Sequence, residues 1–463
     1  MIYVRTCAYN AEKTIRRAMD SVLNQTYRDI TYYVLDNGST DRTGEIVKEY
    51  ALNDSRVVPF YNKVNRDLTE NPQFWLVSHE LKEEDYFCIL DADDEYDLTF
   101  LEEMISFVER YHLDIAACGT RFINAANNIK IEDRKLTGNR VLTDKEDYNQ
   151  YFSEIHWNLR QVWGKVYSAK AAKARYETYL PDWFPKAYGG DTVNVYECVK
   201  ASQAIGVYAK VLHSYYVSSK SVSYQWIEGR EDADEILFQK SVELLMEKCG
   251  EVSQNNIAFL CAVYYHAVMD TLAVLFSAEL TVKCKCALLK KIMEKPLTGT
   301  MMGCVEEKAH RAFAERVVLG ILQMCNTECE ETDLTACYSM LAAFTEWFSK
   351  LIAQKDFRLY VTECSKVVGD IALGDYEAAV NEIICFLNVP NVMTRTEEKW
   401  LELGLNIAAI SNQEEKYIVF SKKMICWKWE NEHQTEAWQE LQEWLEMLPE
   451  DSELRNMERA FRK

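Results

Sequence analysis

Asp91, Asp93, Asp94 and Glu95 lie within five residues of one another, directly after the apolar run Tyr86-Phe87-Cys88-Ile89-Leu90. Carboxylates this close repel one another unless a cation sits among them. Oxygen ligands of this kind suit Mg²⁺ or Mn²⁺. Two other readings of the stretch compete. A run of acids is also the usual decoration of a helix start, and the spacing of Leu101, Met104, Ile105 and Val108 predicts a helix over 98–111. A calcium loop is the second: Asp91, Asp93, Glu95, Asp97, Thr99 and Glu102 fall at its ligand positions, but Tyr96 stands where that loop needs glycine and a strand precedes it. Three further residues could do chemistry with the acids. Asp36 closes a second apolar run, Asp191 follows Gly189-Gly190, and His213 follows a late apolar stretch.

The elements that must position these groups can be read from pattern. A short run apolar on both faces and bounded by charge reads as a buried parallel strand. Runs at 2–9, 30–35, 57–61, 86–90, 115–120 and 205–212 have this character, and Pro59 points to an edge position for the third. Between them Ile15, Ala18, Met19, Val22 and Leu23, then Ile46, Val47 and Tyr50, repeat at helical spacing, with Asn10 as the expected cap of the first helix. Strands alternating with helices make a doubly wound α/β sheet, whose ligands bind at the carboxyl ends of the strands. Asp36 and Asp91 stand at such ends. Residues 62–85 read as irregular with a short helix around Phe74-Trp75-Leu76, 124–145 as a polar loop, and 218–223 as a small polar loop able to fold over a ligand. Gly189-Gly190-Asp191-Thr192 is expected to open a helix running to about residue 201.

From about residue 228 the pattern changes. Glycine and proline become scarce, and helices are expected over 235–248, 256–276, 282–293, 334–354, 376–387, 397–410 and 436–448. Gly374-Asp375-Tyr376-Glu377-Ala378-Ala379 carries a faint tetratricopeptide flavour without a sustained period. The expected organisation is therefore an α/β domain over 1–227 and an all-α domain over 228–463, the latter for packing, oligomerisation or partner binding.

Composition bounds the function. The chain has 463 residues and a net charge of −21, which argues against a nucleic-acid partner. Residues 1–225 hold 27 Lys and Arg against 33 Asp and Glu, and the remainder 25 against 40, so the two halves are different material. Fifteen cysteines without regular spacing read as reduced thiols of a cytoplasmic protein. Cys284-Lys285-Cys286 is too tight for half a zinc site and has no second pair. No signal peptide is expected, since a strand starts at residue 2. No membrane span is expected either: the most apolar stretch, 257–275, is interrupted by His266 and Asp270. Peripheral membrane association and a homo-oligomer built through the helical part stay open.

The first 95 residues resemble the family-two glycosyltransferases. The residues that carry the resemblance are Ala8-Tyr9-Asn10-Ala11-Glu12-Lys13-Thr14-Ile15, Ala18, Ser21-Val22-Leu23-Asn24-Gln25-Thr26-Tyr27, Val34-Leu35-Asp36-Asn37-Gly38-Ser39-Thr40-Asp41-Arg42-Thr43 and Asp91-Ala92-Asp93-Asp94. Weaker likeness persists in Trp163-Gly164-Lys165-Val166-Tyr167 and Gly190-Asp191. The resemblance implies the A-type nucleotide-diphospho-sugar transferase fold, a Rossmann-like mixed sheet, and an inverting transfer from a nucleotide diphosphate sugar. It implies that Asp91 and Asp93 hold Mn²⁺ or Mg²⁺ on the leaving diphosphate, with Asp93 the direct ligand and His213 a candidate further ligand. It implies donor contacts from Thr6, Ala8, Tyr9, Asp36 and Ala92, with Asn65 and Arg66 near the diphosphate. Asp36 can accept the imide N–H of uracil, so a UDP-sugar is the expected donor. Asp191 maps onto the general base that takes the acceptor's proton. The acceptor class stays open among a carbohydrate, a lipid-linked acceptor and a protein. Three departures from the family pattern bear on this: Cys7-Ala8 replaces the usual proline, Gly189 stands where the family often has another acid, and the Arg/Asn-rich segment before the metal strand is poorly matched in residues 62–80, with Asn65-Arg66 in its place. Two rivals remain. A nucleotidyltransferase of similar fold would want a glycine-rich loop after the first strand, which residues 8–17 lack. A non-catalytic scaffold whose helical half binds a partner has no need of Asp36, Asp91, Asp93 and Asp191.

Overall fold

The computed structural model describes residues 1–66, 81–174, 184–218, 221, 224–325, 331–351, 366–367, 369–371, 373–388, 394–431 and 433–462. It divides into two compact units, Met1–Tyr264 and Tyr265–Lys463.

The first unit is built on one mixed sheet. Its strands are β1 (Ile2–Ala8), β2 (Ile30–Asp36), β3 (Val57–Tyr61), β4 (Tyr86–Ile89), β5 (Glu95–Tyr96), β6 (Ile115–Asn124), β7 (Lys130–Arg134), β8 (Arg140–Leu142), β9 (Lys165–Ser168) and β10 (Ile205–Val217). The order along the sheet is β3-β2-β1-β4-β9-β6-β10-β5, with β7 on β6 and β8 on β10. β3, β2, β1 and β4 run parallel, while β9 is antiparallel to both of its neighbours. β3 lies at the edge, as Pro59 suggests, since proline cannot donate to a second neighbour. The two faces of the sheet bury separate apolar clusters. One joins Val4, Val34, Cys88 and Val166 to helices α1 (Ile15–Leu23), α2 (Thr43–Asn53) and α3 (Phe100–Tyr111). The other joins Phe87, Ile89, Ile115 and Tyr167 to α4 (Lys145–Leu159), α5 (Ala169–Ala174) and α6 (Lys186–Ala201).

Several expectations are corrected. The polar stretch 124–145 contains β7 and β8, edge strands that a polar sequence can form because one face meets water. The last strand continues through His213 to Val217, so His213 lies within β10. Asn10 does not cap α1: Thr14 occupies that position, and Asn10 takes a left-handed conformation with φ of 49°. The boundary also moves. Helix α7 (Arg230–Cys249) belongs to the first unit, where Tyr196 and Ser241 hydroxyls meet at 3.0 Å and Tyr188 donates to Asp234 at 2.7 Å. The chain divides after Tyr264, within α8 (Gln254–Ser277), and not at 228. A change in sequence texture marks the end of strands, but the helices that follow still cover the sheet's second face. The expected short helix around Phe74 and most of the 218–223 loop lie outside the described residues.

The described part of the second unit is helical. It holds the rest of α8, then α9 (Val282–Glu294), α10 (Pro296–Cys304), α11 (Glu307–Cys325), α12 (Glu331–Leu351), α13 (Tyr376–Leu387), α14 (Thr394–Ile410), α15 (Glu414–Glu430), α16 (Gln434–Met447) and α17 (Ser452–Phe461). The last five pack each on the next. α10, α11, α15 and α17 were not expected from pattern. α14 and α15 approach closely at Gly404, where a Cβ would stand 2.4 Å from the ring of buried Phe420. α8 is long and apolar enough to cross a membrane by length and composition, with 56% of its most apolar window buried in the protein.

Candidate active site

β1 lies between β2 and β4, and this order assembles the site. Ala8 is opposite Asp36, and the Leu90 N–H donates to the Arg5 carbonyl at 3.0 Å. The end of β1 is therefore flanked by Asp36 on one side and Asp91 on the other. The Cys7 thiol, pushed up to about 12 chiefly by burial, also feels the charges of Asp91 and Asp36.

The two loops that leave β1 and β2 are tied together. Asn10 Oδ1 accepts from the Thr40 N–H at 2.9 Å, and Ser39 Oγ accepts from the Asn10 N–H at 2.9 Å. Thr43 Oγ1 accepts from Ala11 N–H, Asp41 from Glu12 N–H, and Glu12 in return from Arg42 N–H. Side chains of each loop thus satisfy backbone N–H groups of the other. Asp36 is buried. Its Oδ1 accepts from the Ser39 N–H at 3.0 Å, and its Oδ2 lies against Gly44, where a Cβ would come within 2.5 Å. Thr6, opposite Val34, is buried, donating to the Leu90 carbonyl at 2.8 Å and meeting the Tyr32 hydroxyl at 2.8 Å. Ala8 is buried, and Tyr9 is exposed at the mouth.

Asn37 is a hub that sequence reading missed. Its Nδ2 donates to Asn65 Oδ1 and to the Arg66 carbonyl, both at 2.8 Å, and its Oδ1 accepts from Asn62 Nδ2 at 2.7 Å. Asn65 and Arg66 are thereby held beside the end of β2.

The acids after β4 play different parts. Asp94 is fully buried: its Oδ1 accepts from the Tyr216 N–H at 2.9 Å, and its Oδ2 lies 3.4 Å from His213 Nε2. His213 is buried as well and stacks on Trp163 with ring centres 4.7 Å apart. Burial pulls its imidazole down to about 3, so it is neutral near pH 7. Asp93 is exposed, and its carbonyl accepts from Arg17. Asp91 is half-buried. Loss of water raises its carboxyl well above the usual range, and the charges of Asp94, Asp191 and Asp93 raise it further against the opposing Arg5. Arg5 is a second missed residue, a buried cation inside an otherwise apolar strand.

Asp191 comes from the far side of the sequence, and its charge is felt at Asp91 and at Lys165. Its side chain is exposed. It does not open a helix: α6 starts at Lys186, behind Pro185, so Asp191 sits in the second turn. The fixed φ of proline suits a residue at a helix entry. Lys165 is buried beneath, with its Nζ donating to the Trp163 carbonyl at 3.3 Å, and burial pulls it down to about 7.

The cluster fits a divalent cation. Asp91 has more negative charge around it than Arg5 offsets, and neither ring nitrogen of His213 has a hydrogen-bond partner. Among the described residues no three His, Cys, Asp or Glu side chains are grouped so as to hold a metal ion by themselves. Mg²⁺ and Mn²⁺ sites of this type take one or two carboxylates and fill the rest with phosphate oxygens and water.

Residues 3–158 match the family model described as Glycosyl transferase family 2. The amino-terminal part of the chain is a family-2 glycosyltransferase domain. Its mixed sheet resembles the A-type nucleotide-diphospho-sugar transferase fold, and helices follow it. The glycosyltransferase GlyA of Streptococcus pneumoniae is 24% identical over 228 residues, 48% of this chain and 31% of that protein. YibD of Escherichia coli K12, an uncharacterized glycosyltransferase, is 23% identical over 255 residues, 54% of this chain and 71% of that one. Among solved structures, S. aureus TarS 1-349 in complex with UDP-GlcNAc aligns with a TM-score of 0.44 at 18% identity, covering 70% of this chain and 86% of that one. The match spans about a third of GlyA's length.

Proposed function

We propose that the chain is an inverting glycosyltransferase that moves a sugar from a nucleotide diphosphate donor, a UDP-sugar, to an acceptor hydroxyl. The observation that carries this reading is the strand order that sets Asp36 and Asp91 on either side of the end of β1, with the charge of Asp191 felt at Asp91. An exposed carboxylate from α6 lies near enough to the acids after β4 for its charge to raise Asp91. A sugar between them would have a leaving diphosphate on one side and a proton acceptor on the other. In this reading Asp191 accepts the acceptor hydroxyl's proton as that oxygen attacks the anomeric carbon. Asp36, Thr6, Ala8 and Tyr9 hold the nucleoside, Ala92 offers backbone beside it, and Asn65 and Arg66 face the diphosphate. Asp91 and Asp93 would hold Mn²⁺ or Mg²⁺, with His213 as a candidate further ligand. Such an ion stabilises charge developing on the leaving diphosphate.

The test uses Asp191→Asn and Asp93→Asn in the full chain. Asp191→Asn should bind UDP and Mn²⁺ as wild type does and lose transfer by about 10²-fold or more. Asp93→Asn should lose metal-dependent UDP binding in calorimetry. Undiminished transfer by Asp191→Asn would refute its role as base, and metal-dependent UDP binding by Asp93→Asn equal to wild type would refute the metal assignment.

A further inference from the structure

The edge of β6 carries a second constellation. β10 pairs along one edge of β6, so β9 and β7 share the other, end to end, with Lys165 opposite Ala117 and Arg134 opposite Thr120. The loop entering β9 therefore meets β7 at one place. Its Gly164 carbonyl accepts from the Cys118 N–H at 3.0 Å, and Asn158 Nδ2 donates to the Cys118 carbonyl at 3.3 Å. This loop carries Arg160 and Trp163. From β7 the Arg134 guanidinium lies 4.4 Å over the Phe122 ring. Phe122 is 5.5 Å from Tyr215, and Tyr215 stacks 5.3 Å from Trp163, which covers His213. A row of rings thus leads from the acidic cluster to Arg134, and Arg160 stands on the loop that meets β7.

The pair is short of negative charge. Arg134 meets Glu132 at 3.6 Å, but the Glu132 side chain is 56% exposed. Among the described residues no carboxylate comes within ion-pair distance of Arg160, which lies 5.4 Å over Trp157. Burial and the charge of Arg160 together pull Arg134 below the usual arginine range. Guanidinium groups bind phosphate oxygens in pairs of parallel hydrogen bonds, and aromatic faces take the carbon face of a sugar or polyol. In a chain of net charge −21, an anionic substrate needs such a local basic site to approach the acids.

We propose that Arg134 and Arg160 form an anion subsite at the outer end of the ring row, and that the acceptor is a sugar or polyol bearing a phosphate ester. The acceptor's carbon face would lie on Tyr215 and Trp163, with its hydroxyl toward Asp191. This assignment rests on the transferase reading above.

The experiment keeps the two apart. Full-length protein is saturated with UDP and Mn²⁺ and titrated calorimetrically with glucose 6-phosphate or with glucose. Wild type should bind the phosphate ester at least tenfold more tightly than glucose. Arg134→Gln/Arg160→Gln should lose that margin, Arg134→Lys/Arg160→Lys should keep part of it, and all three should bind UDP alike. Equal binding of glucose 6-phosphate to wild type and the glutamine variant, or no preference over glucose, overturns the proposal. Failure of wild type to bind UDP overturns the transferase reading, and the acceptor assignment with it. Co-sedimentation with phosphatidylglycerol vesicles separates a lipid headgroup from a soluble ester. Vesicle binding that depends on the two arginines, without binding of glucose 6-phosphate, also overturns the proposal.

Discussion

Lys165 offers a test of the site's electrostatics that needs no substrate. Its ordinary value of 10.5 falls to about 7 in the fold because burial disfavours the charged form. The unfolded chain therefore binds a proton on this lysine more tightly than the folded one. The lysine's destabilising contribution is fully present below pH 7 and fades as pH rises toward 10.5. At about 1.4 kcal/mol per pH unit the full penalty is roughly 5 kcal/mol, of which about 3 should disappear between pH 6 and pH 9. Lys165→Met removes the titrating group and keeps a long apolar stem at a buried position of β9. The assay is urea unfolding of both proteins at pH 6, 7.5 and 9. Losing the hydrogen bond to the Trp163 carbonyl shifts the difference by a constant, so the test lies in its slope. Groups that titrate independently of Lys165 cancel in the subtraction. The methionine variant should gain on wild type by about 3 kcal/mol on going from pH 9 to pH 6. A difference that stays level with pH would refute the reasoning and mean that the ammonium is solvated or neutralised by Asp191.

Two further outcomes are expected. Asn37→Ala removes three side-chain hydrogen bonds at 2.7–2.8 Å. It should cost about 2–4 kcal/mol in urea unfolding and weaken UDP binding, because Asn65 and Arg66 lose their anchor; a loss below about 1 kcal/mol would mean that water replaces the asparagine. In the second unit Gly404→Ala drives a Cβ to 2.4 Å from Phe420, and overpacking of roughly 1–3 kcal/mol should outweigh the helix preference of alanine, lowering the thermal midpoint.

What could be read from the sequence was what neighbouring residues carry together. The strands ending at Asp36 and Asp91 are continuous runs, and a parallel sheet brings their ends to one edge whatever the detailed register. The family motifs lie at those same ends. What escaped depends on register. Arg5 reads as a flaw in an apolar strand until β1 is seen beside β4, where the guanidinium opposes the charge of Asp91. Asn10 looks like a cap for α1, because capping asparagines are common, but the loop after β2 passes close enough to claim its side chain. Gly189-Gly190 looks like a helix entry, since glycine breaks helices, yet Pro185 starts the helix earlier and Phe184 packs against Gly189, where a Cβ would come within 2.7 Å.

That displacement changes the chemistry expected of Asp191. At a helix entry the peptide dipole would keep its carboxylate acidic. In the second turn this support is weaker. What the position does offer is reach: the charge of Asp191 is felt both at Asp91 and at the buried Lys165. In the proposed reading its use as a base would come from where it stands, an exposed carboxylate within reach of the acids after β4, and not from the helix that carries it. Asp191→Asn tests that place directly, because asparagine keeps the shape and the helix and removes only the proton acceptor.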